Sequence, residues 1–322
     1  MKIKDQASVF FEQIQTRQRH PVKSSTLAAY RTAINNWILP SIGEEELERF
    51  GNGALKLFIH KLVVLHKSPA TIRQIVAVVK MIVASVVTLD GEQVYPRTWN
   101  NDFIDLPDIG PQQSPMLSQD KLRAALRSRY GVFFAFLAGT GLRIGEALAV
   151  RYGDDGTHTA WDPENAVVRV RTQIWRGKEQ DSPKTAAGIR EVDLDPRLNA
   201  LLQKTFERPV TPGRHFLFHR ANGELLFQSY LYETGLKPLG IRGFHTFRRY
   251  RITRLRELGV PEDVIRYWAG HAGGSITDRY SRLAQDKELR KQWAVRAGLG
   301  FELPEIKLDK PKDSCIVKEG EI

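Results

Sequence analysis

Residues 242–282 read RGFHTFRRYRITRLRELGVPEDVIRYWAGHAGGSITDRYSR, and the rest of the chain is organised around them. His245 and Arg248 stand three apart in HTFR, so a helix puts them on one face, where both can grip one anion. Pro261 suits a first helical position and Gly270 a stop. That places His271 just past the end of a short helix, where a side chain can point into a cleft. Ser275 and Asp278 in SITD read as a capping box, so Tyr280 rides on a second short helix able to shift as a unit. Such a mount suits a mobile nucleophile. Taken singly, each feature has a bland reading: an arginine three residues after a histidine is common in helices, and Gly-His at a helix end is commonly a cap. The chemical reading gains weight only when Arg143 and Lys184, far upstream, are joined to this stretch.

The chain has 322 residues, 42% of them hydrophobic, enough for two domains each with its own core. Basic side chains outnumber acidic ones by 48 to 37, which points to a polyanionic partner. The excess is uneven: residues 1–107 carry 13 basic and 10 acidic side chains, whereas 108–300 carry 31 and 21. Six arginines, at 242, 248, 249, 251, 254 and 256, occur without an acidic residue among them. No run of about 18 apolar residues is present, and MKIKDQASVFFEQ lacks the apolar segment of a signal peptide. A cytoplasmic protein is expected, nucleoid-associated when bound to DNA, with no membrane partner. The one cysteine, Cys315, excludes an intrachain disulfide and argues against a cysteine zinc site. No phosphate-binding glycine loop suggests ATP, so no metal or cofactor is expected.

Apolar spacing predicts helices over about 6–18, after Ser24 in TLAAYRTAINNWIL, over 54–66, and from a Ser68 cap with Pro69 at the first helical position. On this helical module Arg31, Thr71, Arg73 and Lys80 suit phosphate or base-edge contacts. His60 and His66 read as structural. Residues 90–115 hold four prolines and little periodicity, as a linker does. Ser118 caps a further helix, and two more break at Gly139-Thr140-Gly141, with Arg143 opening the second and Glu146 one turn on, able to orient it. Alternating β-type residues from AVVRVRTQIW to REVDL predict a small antiparallel sheet with hairpin turns, Lys184 at one of them. Helix returns after Asp195-Pro196. His215 and His219 carry no role. The fold class is mainly α with a small antiparallel β-sheet in two domains: a helical module over 1–90, a linker over 91–115, a mixed α+β domain over 116–300 and a polar tail over 301–322.

Breaking a phosphodiester without metal needs a nucleophile, donors for the two non-bridging oxygens and an acid for the leaving oxygen. Arg143 and Arg248 are permanently charged forks matched to phosphate, and His245 and His271 can donate or relay protons near neutrality. Lys184 can protonate a departing 5′-hydroxyl, and Tyr280 can attack phosphorus. A phosphotyrosine link conserves the bond energy, so strands can be rejoined to a different partner.

TGLRIGEALAV, SPKTAAGIREV, HTFRR and AGHAGGSITDRY together resemble the tyrosine recombinase, or phage integrase, family. The resemblance covers about 116–290, and the module at 5–88 is similar to the family's core-binding domain. It implies a site-specific recombinase whose two domains clamp double-stranded DNA at an inverted-repeat site as a C. Four protomers would form a synapse and exchange strands in two steps through a Holliday junction, with an accessory directionality factor as a further partner. By the resemblance Arg143, Lys184, His245, Arg248 and His271 assist Tyr280; Arg242 and Arg249, from the basic run, are further candidate DNA contacts. It also suggests that DKELRKQWAVRAGLG at 286–300, with Leu289, Trp293 and Val295, docks on a neighbouring protomer. The chain departs from the family pattern in the arginine-heavy HTFRRYRITR, and no counterpart of the arm-binding domain of larger phage integrases is expected. Two rivals use overlapping residues: a type IB topoisomerase, which would relax plasmid rather than exchange flanks, and a catalytically silent DNA-binding relative. Against the silent relative, all six expected side chains are present.

Overall fold

The computed structural model describes residues 1–110, 116–180, 186–206, 215–220, 224–271, 283–303 and 316–317. Lys184, Tyr280 and the capping pair Ser275 and Asp278 lie outside them, as does residue 315. The chain divides into two compact units, Met1–Gln113 and Ser114–Ile322.

Unit 1 is helical: α1 (Ile3–Thr16), α2 (Ser24–Ala33), α3 (Leu39–Ile42), α4 (Asn52–Val64) and α5 (Pro69–Ala84), with α2 running into α3 through a wider turn at Ile34–Ile38. Ile3, Ala7 and Phe10 on α1 recur at helical spacing and are buried, which fixes the face it turns inward. α5 is the axis of the unit, packed by α1, α2 and α4. The Ser68 hydroxyl accepts from the Thr71 amide at 3.2 Å, and Pro69 opens the helix where no amide is needed. The proline-rich stretch that follows packs on this unit. Arg97 donates to the Glu48 carbonyl at 2.7 Å and to those of Phe50 and Leu47 at 3.2 Å, and Ile104 is fully buried in the core. Proline and turn content hide such packing, because irregular backbone carries no apolar period.

Unit 2 is built on α7 (Gly131–Thr140), whose ten residues are all buried. A helix apolar on every side must be covered on every side, and it is flanked by α6 (Gln119–Leu126), α9 (Pro196–Thr205) and α11 (His245–Glu257). The Phe134 and Phe247 rings stack at 5.3 Å between α7 and α11. α8 (Ile144–Leu148) follows α7 directly, α10 (Gln228–Leu231) is a single turn, α12 (Glu262–Ala269) comes next, and α13 (Lys287–Ala297) closes the unit.

The sheet orders β1 (Arg151–Tyr152), β2 (Ala160–Asp162), β3 (Val167–Val170) and β6 (Arg190–Asp193), with β4 (Gln173–Trp175) and β5 (Lys178–Gln180) as a separate hairpin. β2, β3 and β6 pair antiparallel, but β1 runs parallel to β2, so the expected antiparallel sheet is a mixed one. A two-residue strand is too short to leave an alternating pattern. In the loop between β1 and β2 the Asp155 carboxylate accepts from the Thr157 and His158 amides.

The segment expected to dock on a neighbour packs on its own unit. α13 buries Arg290, Ala294 and Ala297. The fully buried Arg290 donates to Asp193 at 2.8 Å and pairs with Glu191, while the Trp268 indole donates to the same Asp193 oxygen at 2.9 Å. Leu289 and Val295 face outward, and Trp293 is half-buried under Arg296. Charge periodicity hid this inward face, since its anchor is an arginine. Arg290→Met should cost about 3–5 kcal/mol, as expected when one partner of a buried ion pair is removed, read as a lower urea midpoint at unchanged slope.

Candidate active site

α7 ends at Gly141, whose φ of +67° is left-handed, and α11 passes so close that a Cβ there would lie 3.3 Å from Arg251. That turn aims the Gly141 carbonyl at Arg248, which donates to it at 3.0 Å. Arg143 caps α8 rather than opening it, and one turn on stands Glu146, fully buried. Glu146 accepts from the Arg143 amide at 2.9 Å and from its guanidinium at 2.8 Å. From β6, Arg190 donates to both oxygens of the same carboxylate, at 3.2 and 2.9 Å. Burial by itself would raise the Glu146 pKa, but the Arg190 charge and hydrogen bond, followed by Arg143, hold it below the usual carboxylate value.

The C-terminus of α12 supplies the other half of the site. Gly270 takes φ +63° and stops the helix, with Pro261 as the cap before its first turn rather than the first helical residue. Three successive carbonyls here each receive a different arginine: Trp268 from Arg190 at 2.7 Å, Ala269 from Arg248, and Gly270 from Arg143 at 3.4 Å. A helix C-terminus is the negative end of its dipole, so it suits cations. His271 follows at once, exposed, with Nε2 2.9 Å from Arg248 Nη2. A guanidinium can only donate, so in this contact Nε2 accepts and the neutral ring carries its proton on Nδ1. His245 lies exposed at the start of α11.

Burial lowers the pKa of both histidines, and neighbouring arginines, Arg248 foremost, lower it further. Burial, then repulsion from Arg143, pushes Arg248 down to about 10, still charged at neutral pH. In the described part of the site Arg143 is held by Glu146, Arg248 meets His271, and His245 stands within the influence of Arg248 and Arg143; Arg190, the second partner of Glu146, is added to them. Arg190 was missed in the sequence, although REVDL carries its signal: on a strand it alternates in register with Val192, inward. Arg151, another polar neighbour of Arg143 in sequence, turns instead to Glu179 at 2.7 Å.

The other candidate contacts each have their own surroundings. In unit 1 Arg31 sits over the Phe11 ring, Thr71 meets Ser68 at 2.8 Å, Arg73 donates to the Pro107 carbonyl and Asp108 at 2.7 Å each, and Lys80 reaches Asn101 at 3.0 Å. In unit 2 Arg242 is exposed and Arg249 half-buried on α11.

Residues 112–287, over half of the chain, match the phage integrase family. The protein named "Putative integrase/recombinase y4gC" of Sinorhizobium fredii (strain NBRC 101917 / NGR234) is 31% identical over 177 residues, which span 52% of this chain and 83% of that protein. Among solved structures, an integrase of transposon Tn1549 in complex with a circular intermediate DNA shares the fold with a TM-score of 0.67 at 19% identity, over 91% of this chain and 99% of that one. A lambda integrase tetramer bound to a Holliday junction gives a TM-score of 0.60 at 12% identity, over 95% and 81%. The chain belongs to the phage integrase family and is a tyrosine-type, DNA breaking and rejoining recombinase.

Because both histidines titrate below 6.5 in the folded chain, the unfolded state binds more protons below that pH, and stability falls as pH falls. Melting temperature should drop between about pH 7 and pH 5. His271→Gln should make that drop shallower, which a thermal melt series in matched buffers would detect.

Proposed function

We propose that this cluster is the phosphate site of a site-specific recombinase in which Tyr280 is the nucleophile. The observation that supports it most is charge. The guanidiniums of Arg143 and Arg190 share the single carboxylate of Glu146, and a third, Arg248, is held by main-chain carbonyls and His271 with no carboxylate of its own among the described hydrogen bonds, an arrangement suited to a further anion. The Tyr280 oxygen gives up its proton to an imidazole, His245 or His271, and forms a bond to phosphorus while the bond to the 5′ oxygen breaks, and Lys184 gives that oxygen its proton. Arg143 and Arg248 meet the negative charge that grows on the non-bridging oxygens, and His245 and His271 hold or relay protons there. The 3′-phosphotyrosine keeps the bond energy, so the 5′-hydroxyl of another strand can reverse the step without metal or ATP.

The DNA complexes of the Tn1549 and lambda integrases support the same substrate here, and the lambda tetramer on a Holliday junction supports strand exchange in two steps by four protomers. On this reading residues 1–90 form a core DNA-binding domain, 91–115 connect it to a catalytic domain over 116–300, and Arg31, Thr71, Arg73, Lys80, Arg242 and Arg249 contact an inverted-repeat duplex. An accessory factor would set direction.

A suicide duplex nicked near the scissile phosphate should trap a 3′ adduct with the parent in the presence of a chelator, and Tyr280→Phe should bind equally and trap none. Arg143→Ala and Arg248→Ala should each slow trapping by about 10²–10³-fold. An adduct that survives loss of Tyr280 would overturn the mechanism, and relaxed plasmid without exchanged flanks would favour topoisomerase-like action. Duplex affinity should fall with salt at a slope near −0.9 per phosphate contact, measurable by fluorescence anisotropy.

A further inference from the structure

Arg190 makes no reach toward solvent: its side chain is 1% exposed, and its guanidinium donates to Glu146, to the Trp268 carbonyl and, at 2.8 Å, to the Gly188 carbonyl. Its use follows from what Glu146 demands. A fully buried carboxylate needs a countercharge. Were Arg143 its sole cation, the two would close into a neutral pair, and a phosphate would have to compete with that pair for the guanidinium. Instead Arg190 covers both carboxylate oxygens from behind, and Arg143 keeps one side-chain contact while remaining 28% exposed. Gly270 is shaped around this arrangement, since a Cβ there would lie 2.9 Å from Arg190 Nη1.

We propose that Arg190 is a positioning residue that neutralises Glu146, so that Glu146 can orient Arg143 without consuming the charge Arg143 offers to the scissile phosphate. This rests on the reading of the cluster as a phosphate site. Arg190 touches no reacting atom and acts through Glu146.

The test uses the full chain and three variants, Arg190→Gln, Arg190→Lys and the double variant Arg190→Gln with Glu146→Gln. Half-site binding, thermal melting and single-turnover adduct formation on the suicide duplex are measured for each. Arg190→Gln should bind within about threefold of the parent yet form adduct about a hundredfold more slowly, the pattern of an interaction used in the transition state. Adding Glu146→Gln should restore about tenfold or more, because no buried carboxylate is left to sequester Arg143. Arg190→Lys, which keeps the charge but loses the fork, should fall between the two. Parental rates in Arg190→Gln would overturn the proposal, as would a folded double variant no faster than the single one. If Arg190→Gln does not fold, the double variant decides: folded and active supports the proposal, folded and inactive overturns it. A parent that forms no adduct would instead remove the reaction itself.

Discussion

The site depends on one buried negative charge. Glu146 is the carboxylate against which Arg143 and Arg190 are set, and its desolvation would be untenable without them. Removing either arginine, or the carboxylate, leaves like or unpaired charges in a low-dielectric interior. Such a constraint couples three elements that are distant in sequence, α8, β6 and the end of α12. It does so more tightly than apolar packing, because a guanidinium fork tolerates little displacement.

Much of this was legible in the sequence because helix periodicity and end signals are local. Ser68 with Pro69, Asp195 with Pro196, and Gly270 each mark a boundary that the structure keeps. The adjacency of His245 and Arg248, and of Arg143 and Glu146, needed only helical spacing. The contributions of Arg190 and Arg290 were not legible. Both are charged residues facing inward, and apolar pattern reading assigns a charge to the surface unless a partner is known. Their partners lie 44 and 97 residues away along the chain. The direction of β1 was hidden for a different reason, since two residues hold no period.

α11 serves two parts of unit 2 from one helix. Near its start, Arg248 engages the Gly141 carbonyl and His271. One turn later, the buried Arg251 donates to the Gly298 carbonyl and the Tyr250 hydroxyl to that of Gly300. The run of arginines between 242 and 256 is thus divided, and part of it fastens the chain after α13. A basic segment in sequence is therefore a poor guide to field direction until burial is known. Arg248 and Arg251 are both interior, whereas Arg242 is exposed.

The three carbonyls at the end of α12 belong to the main chain, and this bears on how the protein can drift. Replacing Trp268 or Ala269 alters a side chain but cannot delete the acceptor that Arg190 or Arg248 uses. What must be preserved is phase. Inserting or deleting one residue between 261 and 270 would rotate the helix end by about 100° and present the wrong carbonyls to all three arginines at once. Homologous chains should accordingly accept substitutions in this helix while keeping its length fixed, and a shuffled or grafted version would inherit the site by register rather than by residue identity.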